Sequence, residues 1–80
     1  MTKTITGYGC KIVRKTLGIS KKCLAETCSL SEPTITRYES GNYSAHPTTT
    51  FLISNALDTA IRDSRLDESV KEQLLDTYFN

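Results

Sequence analysis

Five side chains between positions 32 and 37 carry groups that match the exposed edges of base pairs. The Arg37 guanidinium can donate two parallel hydrogen bonds to O6 and N7 of a guanine. The Glu32 carboxylate can accept from a cytosine amino group, and its repulsion of phosphate helps to reject wrong sites. The Pro33 ring and the methyl groups of Thr34 and Thr36 can press on a thymine methyl. Upstream stand Ser20, Lys21 and Lys22. If Ser20 caps a helix there, the next amides point outward and suit a phosphate, with two ammonium groups beside them. The plain alternative is an ordinary cap followed by solvated lysines.

Such a division of labour needs two short helices held against each other, and the stretch from Ser20 to Gly41 supplies them. Lys21–Cys28 reads as one helix and Glu32–Ser40 as the next, with a tight turn between. Leu24, Ala25, Cys28 and Leu30 are the small or apolar positions that permit a close crossing. Ile35 and Tyr38, three apart, give the second helix its inward face. Glu32, Pro33, Thr36 and Arg37 then face outward, with Thr34 at the margin. Ser31 can cap that helix, and Pro33 fits a first turn whose amides have no helical partner. Gly41 suits a left-handed stop. Two short helices joined by so tight a turn make a helix-turn-helix unit.

The run ISKKCLAETCSLSEPTITRYESG resembles the signature of phage repressor/Cro-like (XRE-type) DNA-binding domains over about Ile12 to Leu57. Leu24-Ala25-Glu26 stands in the first helix of the motif, and Glu39-Ser40-Gly41 forms the terminal Glu-x-Gly. The resemblance implies an all-α fold of about five short helices, of the lambda repressor type, with the second helix of the motif entering the major groove. It also implies an ion pair between Arg14 and Glu39, tying the first helix of the chain to the end of the reading helix. The loop after the glycine would run along the sugar-phosphate backbone, with Asn42, Tyr43 and Ser44 as the groups able to touch it. Two departures stand out. Lys21 replaces the usual Gln, and Ser29 replaces the usual turn Gly, so Ser29 must take a positive φ at a cost of about 1 kcal/mol or the turn must be shaped differently.

Eighty residues, 38% hydrophobic and 24% charged, are read as one ordinary globular domain. So short a chain is marginal alone and gains from a partner subunit. A net charge of +1 argues little for a nucleic-acid binder, but its distribution does. Residues 1–22 carry Lys3, Lys11, Arg14, Lys15, Lys21 and Lys22 with no acid, giving +6. Residues 46–80 carry Arg62, Arg65 and Lys71 against Asp58, Asp63, Asp67, Glu68, Glu72 and Asp76, giving −3. A basic front and an acidic rear suit a protein that turns one face to phosphate. Cys10, Cys23 and Cys28 form no Cys-x-x-Cys pair and read as small buried hydrophobes. One histidine cannot complete a zinc set with them, so no metal or cofactor is expected. No membrane-spanning run or signal-peptide pattern appears, and the expected compartment is the cytoplasm of a bacterial or phage-infected cell.

The remaining elements frame the motif. Ile5, Tyr8, Ile12, Val13 and Leu17 follow helical spacing, giving a helix over about Tyr8–Leu17 that stops at Gly18. A fourth helix spans about Thr49–Ile61, capped by Thr48, with Phe51, Leu52, Ala56, Leu57, Ala60 and Ile61 closing the core. His46 reads as a polar loop residue. Asp67 caps a last helix, over about 67–79, with Val70, Leu74, Leu75 and Tyr78 on one face. That helix either completes the core or pairs with its copy in a second subunit. No phosphate-binding glycine loop, nucleophile elbow or histidine–carboxylate set is present, so no catalysis is expected. The expected function is a sequence-specific regulator, a phage or mobile-element repressor that binds operator DNA as a homodimer. The competing expectation is a protein-interaction module, an antitoxin or anti-repressor, to which the acidic tail would belong; a regulatory partner protein is compatible with either.

Overall fold

A computed structural model describes residues 4–41 and 45–79. Five helices follow in order: α1 (Gly7–Leu17), α2 (Lys21–Cys28), α3 (Glu32–Ser40), α4 (Pro47–Asp63) and α5 (Glu68–Tyr78). The described residues form no strand; a single antiparallel bridge joins Ile5 to Phe79. The fold is all-α, as the sequence led one to expect.

The boundaries follow from side-chain chemistry. The Thr6 hydroxyl accepts from the Gly9 amide at 2.9 Å, and the Ser20 hydroxyl from the Cys23 amide at 3.0 Å. The Ser31 hydroxyl accepts from the Thr34 amide at 3.3 Å. α1 ends at Gly18 (φ 72°) and α3 at Gly41 (φ 78°), both left-handed. Ser29 closes α2 at φ 58°, so the serine does take the conformation that glycine usually fills.

Two boundaries differ from expectation. α4 starts at Pro47 rather than Thr49, because Pro47 itself takes the first helical position, where a missing N–H costs nothing. Its cap is therefore His46, not Thr48: the imidazole Nδ1 accepts from the Thr48 amide at 3.1 Å. Asp67 sits at the N-cap of α5 but makes no side-chain cap hydrogen bond, leaving only its charge near the positive helix end.

The core gathers Ile5, Cys10, Val13, Leu24, Ile35, Ile53, Leu57 and Ile61, with Tyr38, Leu74 and Phe79 around them. α1 and α2 both pack on α3, α4 closes over α1 and α2, and α5 packs on α4 and α1. Gly7 is required where α1 meets the end of α3: a Cβ there would lie 2.1 Å from the Tyr38 carbonyl oxygen. α5 completes the core through Leu74 and Phe79. The Lys71 ammonium also donates to the Arg62 carbonyl at 3.0 Å, at the last turn of α4.

Two large side chains counted into inward stripes lie outside: Tyr8 is 69% exposed and Phe51 45%; Val70, on the α5 face expected to complete the core or to pair with a second subunit, is 37% exposed. The inward faces of α1 and α4 hold Cys10, Ile53 and Ser54 instead. Cys10 fills α1, and Ser54 fills α4, where it accepts from the Ile5 amide at 2.9 Å and donates to the Thr50 carbonyl at 2.7 Å. Cys10 and Cys28 are buried as expected, whereas Cys23 is exposed.

Candidate nucleic-acid interface

α3 has two faces of opposite character. Its inner face buries Ile35, Tyr38 and Glu39. Its outer face exposes Glu32, Pro33, Thr36 and Arg37, with Thr34 half-buried at the edge. These four exposed residues line a shallow concavity. Among the described residues neither the Glu32 carboxylate nor the Arg37 guanidinium enters an ion pair. Both charges are therefore available to a ligand.

The threonine hydroxyls on α3 are already engaged. Thr34 Oγ1 and Ser31 Oγ lie 2.7 Å apart, and Thr36 Oγ1 donates to the Glu32 carbonyl at 3.3 Å. Such backward bonding is the usual resort of a hydroxyl inside a helix.

The start of α2 carries the second group of candidate residues. Ser20 and Lys22 are exposed and Lys21 is half-buried. The Ser20 cap engages the Cys23 amide, and the Leu24 amide bonds to the Ser20 carbonyl. Amides ahead of these lie in the unsatisfied first turn, next to two lysines. Asn42, Tyr43 and Ser44 lie outside the described residues.

Beneath α3 sits a buried charge pair. Arg14 Nε donates to Glu39 Oε2 at 2.7 Å, and Nη2 to Oε1 at 3.1 Å; the two side chains are 9% and 4% exposed. This two-point geometry is the strong form of the interaction. The third guanidinium nitrogen, Nη1, donates to the Ile19 carbonyl at 2.9 Å, and the Cys10 thiol donates to Glu39 Oε2 at 3.6 Å. α1, the α1–α2 link and α3 are thus joined by one polar cluster in which no buried side-chain polar atom lacks a partner. Its hydrogen bond to Glu39 raises the Arg14 pKa, with burial opposing. Burial pushes the Cys10 thiol up, and the Glu39 charge beside it pushes the same way. Burial likewise raises the Tyr38 phenol, whose hydroxyl donates to the Ile5 carbonyl.

The Ile19 carbonyl and the Cys10 thiol are members of this cluster that no sequence pattern flagged. A backbone acceptor has no residue signature, and a lone cysteine reads as filler. Among the described residues no group of His, Cys, Asp and Glu could hold a metal ion, and no helix is long and apolar enough to cross a membrane.

No curated protein matches the chain. Residues 11–63, well over half of it, do match a family, from within α1 to the end of α4. That family is helix-turn-helix, and the chain belongs to it as a DNA-binding regulator of the XRE type.

Proposed function

We propose that this regulator is a repressor of phage or mobile-element type that binds a specific operator as a homodimer. α3 lies in the major groove and presents Arg37 to guanine and Glu32 to a cytosine amino group. Ser20, Lys21 and Lys22 hold the phosphate backbone, together with Asn42, Tyr43 and Ser44 from the following loop. Arg14 and Glu39 keep α3 at a fixed attitude. One unit offers few contacts, so two units on half-sites about 10 base pairs apart supply the affinity. Repression follows if the dimer covers a promoter.

The observation that carries this reading is the outer face of α3: two charges of opposite sign, in no ion pair among the described residues, on a helix whose other face is locked by a buried ion pair. Selection from a random duplex library, followed by gel shifts at two salt concentrations, tests it. A discrete complex is expected, weakening with salt at a slope set by the phosphates neutralised. Arg37→Ala should cost about 1–3 kcal/mol at one base pair and relax preference there, while Lys21→Ala should weaken all sequences alike. Equal behaviour of the two variants would reject this assignment of roles.

One observation favours a second reading, in which the fold holds another protein. α5 exposes Asp67, Glu68, Glu72 and Asp76 around Val70. A library that enriches no sequence would favour it.

A further inference from the structure

On the reading that the protein binds its operator as a homodimer, we propose that the outer face of α4 is where the two copies meet about a twofold axis, each Phe51 ring entering the groove between α2 and α4 of the other copy. Residues 40–57 hold no Asp, Glu, Lys or Arg, in a chain that is 24% charged. That run puts Thr48, Phe51 and Asn55 on the exposed side of α4, and Thr59 continues the stripe. Asp58, half-buried beside it, is neutralised by Arg62, whose Nε lies 2.6 Å from its Oδ1. A face set on a twofold axis meets its own copy, so like charges on it oppose each other. α1, which exposes Lys11 and Lys15, fails that condition, and so does α5, which exposes Glu68, Glu72 and Asp76. On the proposed function α2 and α3 are committed to DNA. Phe51 is 45% exposed, and the groove starts at its neighbour Leu52. Thr27 and Cys28 of α2 and Ala56, Thr59 and Ala60 of α4 complete its lining. Antiparallel α4 helices crossing at Asn55 bring each Phe51 opposite the partner's Thr59, because both positions stand four residues from the crossing. α4 has 17 residues, so the strip is about 25 Å long and about 10 Å wide. Such a strip is well short of the roughly 800 Å² per partner of a stable interface, so the pair closes on the operator, where two half-sites hold the copies together.

Gel shifts of the full-length protein compare its selected operator, carrying two half-sites, with a duplex carrying one. On the two-site duplex the second copy should bind roughly ten- to hundredfold more tightly than the first, the worth of covering the exposed halves of two phenylalanine rings. Phe51→Lys, which sets an ammonium group into the partner's groove, should abolish that gain and leave binding to the single half-site at its usual strength. Adding Thr59→Glu to Phe51→Lys should restore the gain, because the opposite charges then meet across the two copies; within one chain the two positions lie more than two turns apart. Both positions are exposed, so neither change opens the core. A Phe51→Lys protein that keeps the gain, or a double variant that does not recover it, would overturn this interface and leave a homodimer closed by some other face. Unaltered protein that fills the two half-sites independently would overturn the homodimer and the interface together and leave DNA recognition standing. A library that yields no enriched sequence would overturn all three.

Discussion

The α1–α3 region and α5 are built on different principles. Each of the first three helices starts with a side-chain hydroxyl cap and ends in a left-handed residue. The charges buried between α1 and α3 are paired at two points, with further donors from Cys10 and to Ile19. α5 has no side-chain cap, one buried helical residue in Leu74, and a hold on the rest through Phe79 and Lys71. Over-determined polar contacts fix orientation, whereas an apolar plug adds stability without fixing much geometry. On the proposed function, the first region is the one that presents α3 at a set angle. α5 also lies beyond residues 11–63, the part that matches the family.

Five variants should widen or erase that contrast. Glu39→Ala strands the Arg14 charge in the interior and should cost about 3–5 kcal/mol in denaturant unfolding. Replacing both partners by apolar residues of similar size, Arg14→Met with Glu39→Leu, should recover much of the loss but loosen the attitude of α3, seen as weaker operator discrimination. If the double variant discriminates as well as the original, the pair contributes no geometry. Leu74→Ala in α5 should cost about 2–3 kcal/mol and leave the base preference of the folded protein unchanged. A changed preference would show that α5 shapes the reading face. Ser31→Ala should cost about 1 kcal/mol, while Asp67→Ala should cost only a few tenths, since it loses no cap hydrogen bond; equal losses in thermal melts would erase the distinction.

The smallest effect is one of pH. Cys10, Cys28 and Tyr38 all have pKa values raised by burial, so the folded chain holds protons that the unfolded chain releases. Their contribution is fully present below the ordinary thiol value of about 9 and declines as pH rises above it. Cys10→Ala should flatten that decline in unfolding measured between pH 8 and 10, about one to two units around the thiol range.

Much of this was legible beforehand, for identifiable reasons. The ends of α2 and α3 were marked by Ser20, Ser31 and Gly41, residue types with one dominant local use. The positive φ of Ser29 was one of the two outcomes that the resemblance left open, because it sets glycine at that turn position. Arg14 and Glu39 stand 25 residues apart, and no spacing rule connects them; only a family resemblance suggested that they meet. The errors share a cause. Tyr8 and Phe51 were counted into apolar stripes by spacing alone, but the inward positions of α1 and α4 are held by Cys10, Ile53 and Ser54. His46 was missed as a cap because an imidazole rarely serves as one, and Pro47 was placed before the helix when it opens it.

Backbone amide NMR of the full chain, titrated with its selected operator duplex, tests most directly whether the outer face of α3 is where DNA lies. The expected result is that amides at Ser20–Lys22, at Glu32 and at Thr34, Thr36 and Arg37 shift or broaden together, while those of α5 from Ser69 to Thr77 stay in place. Shifts concentrated on α5, with the outer face of α3 silent, would contradict it.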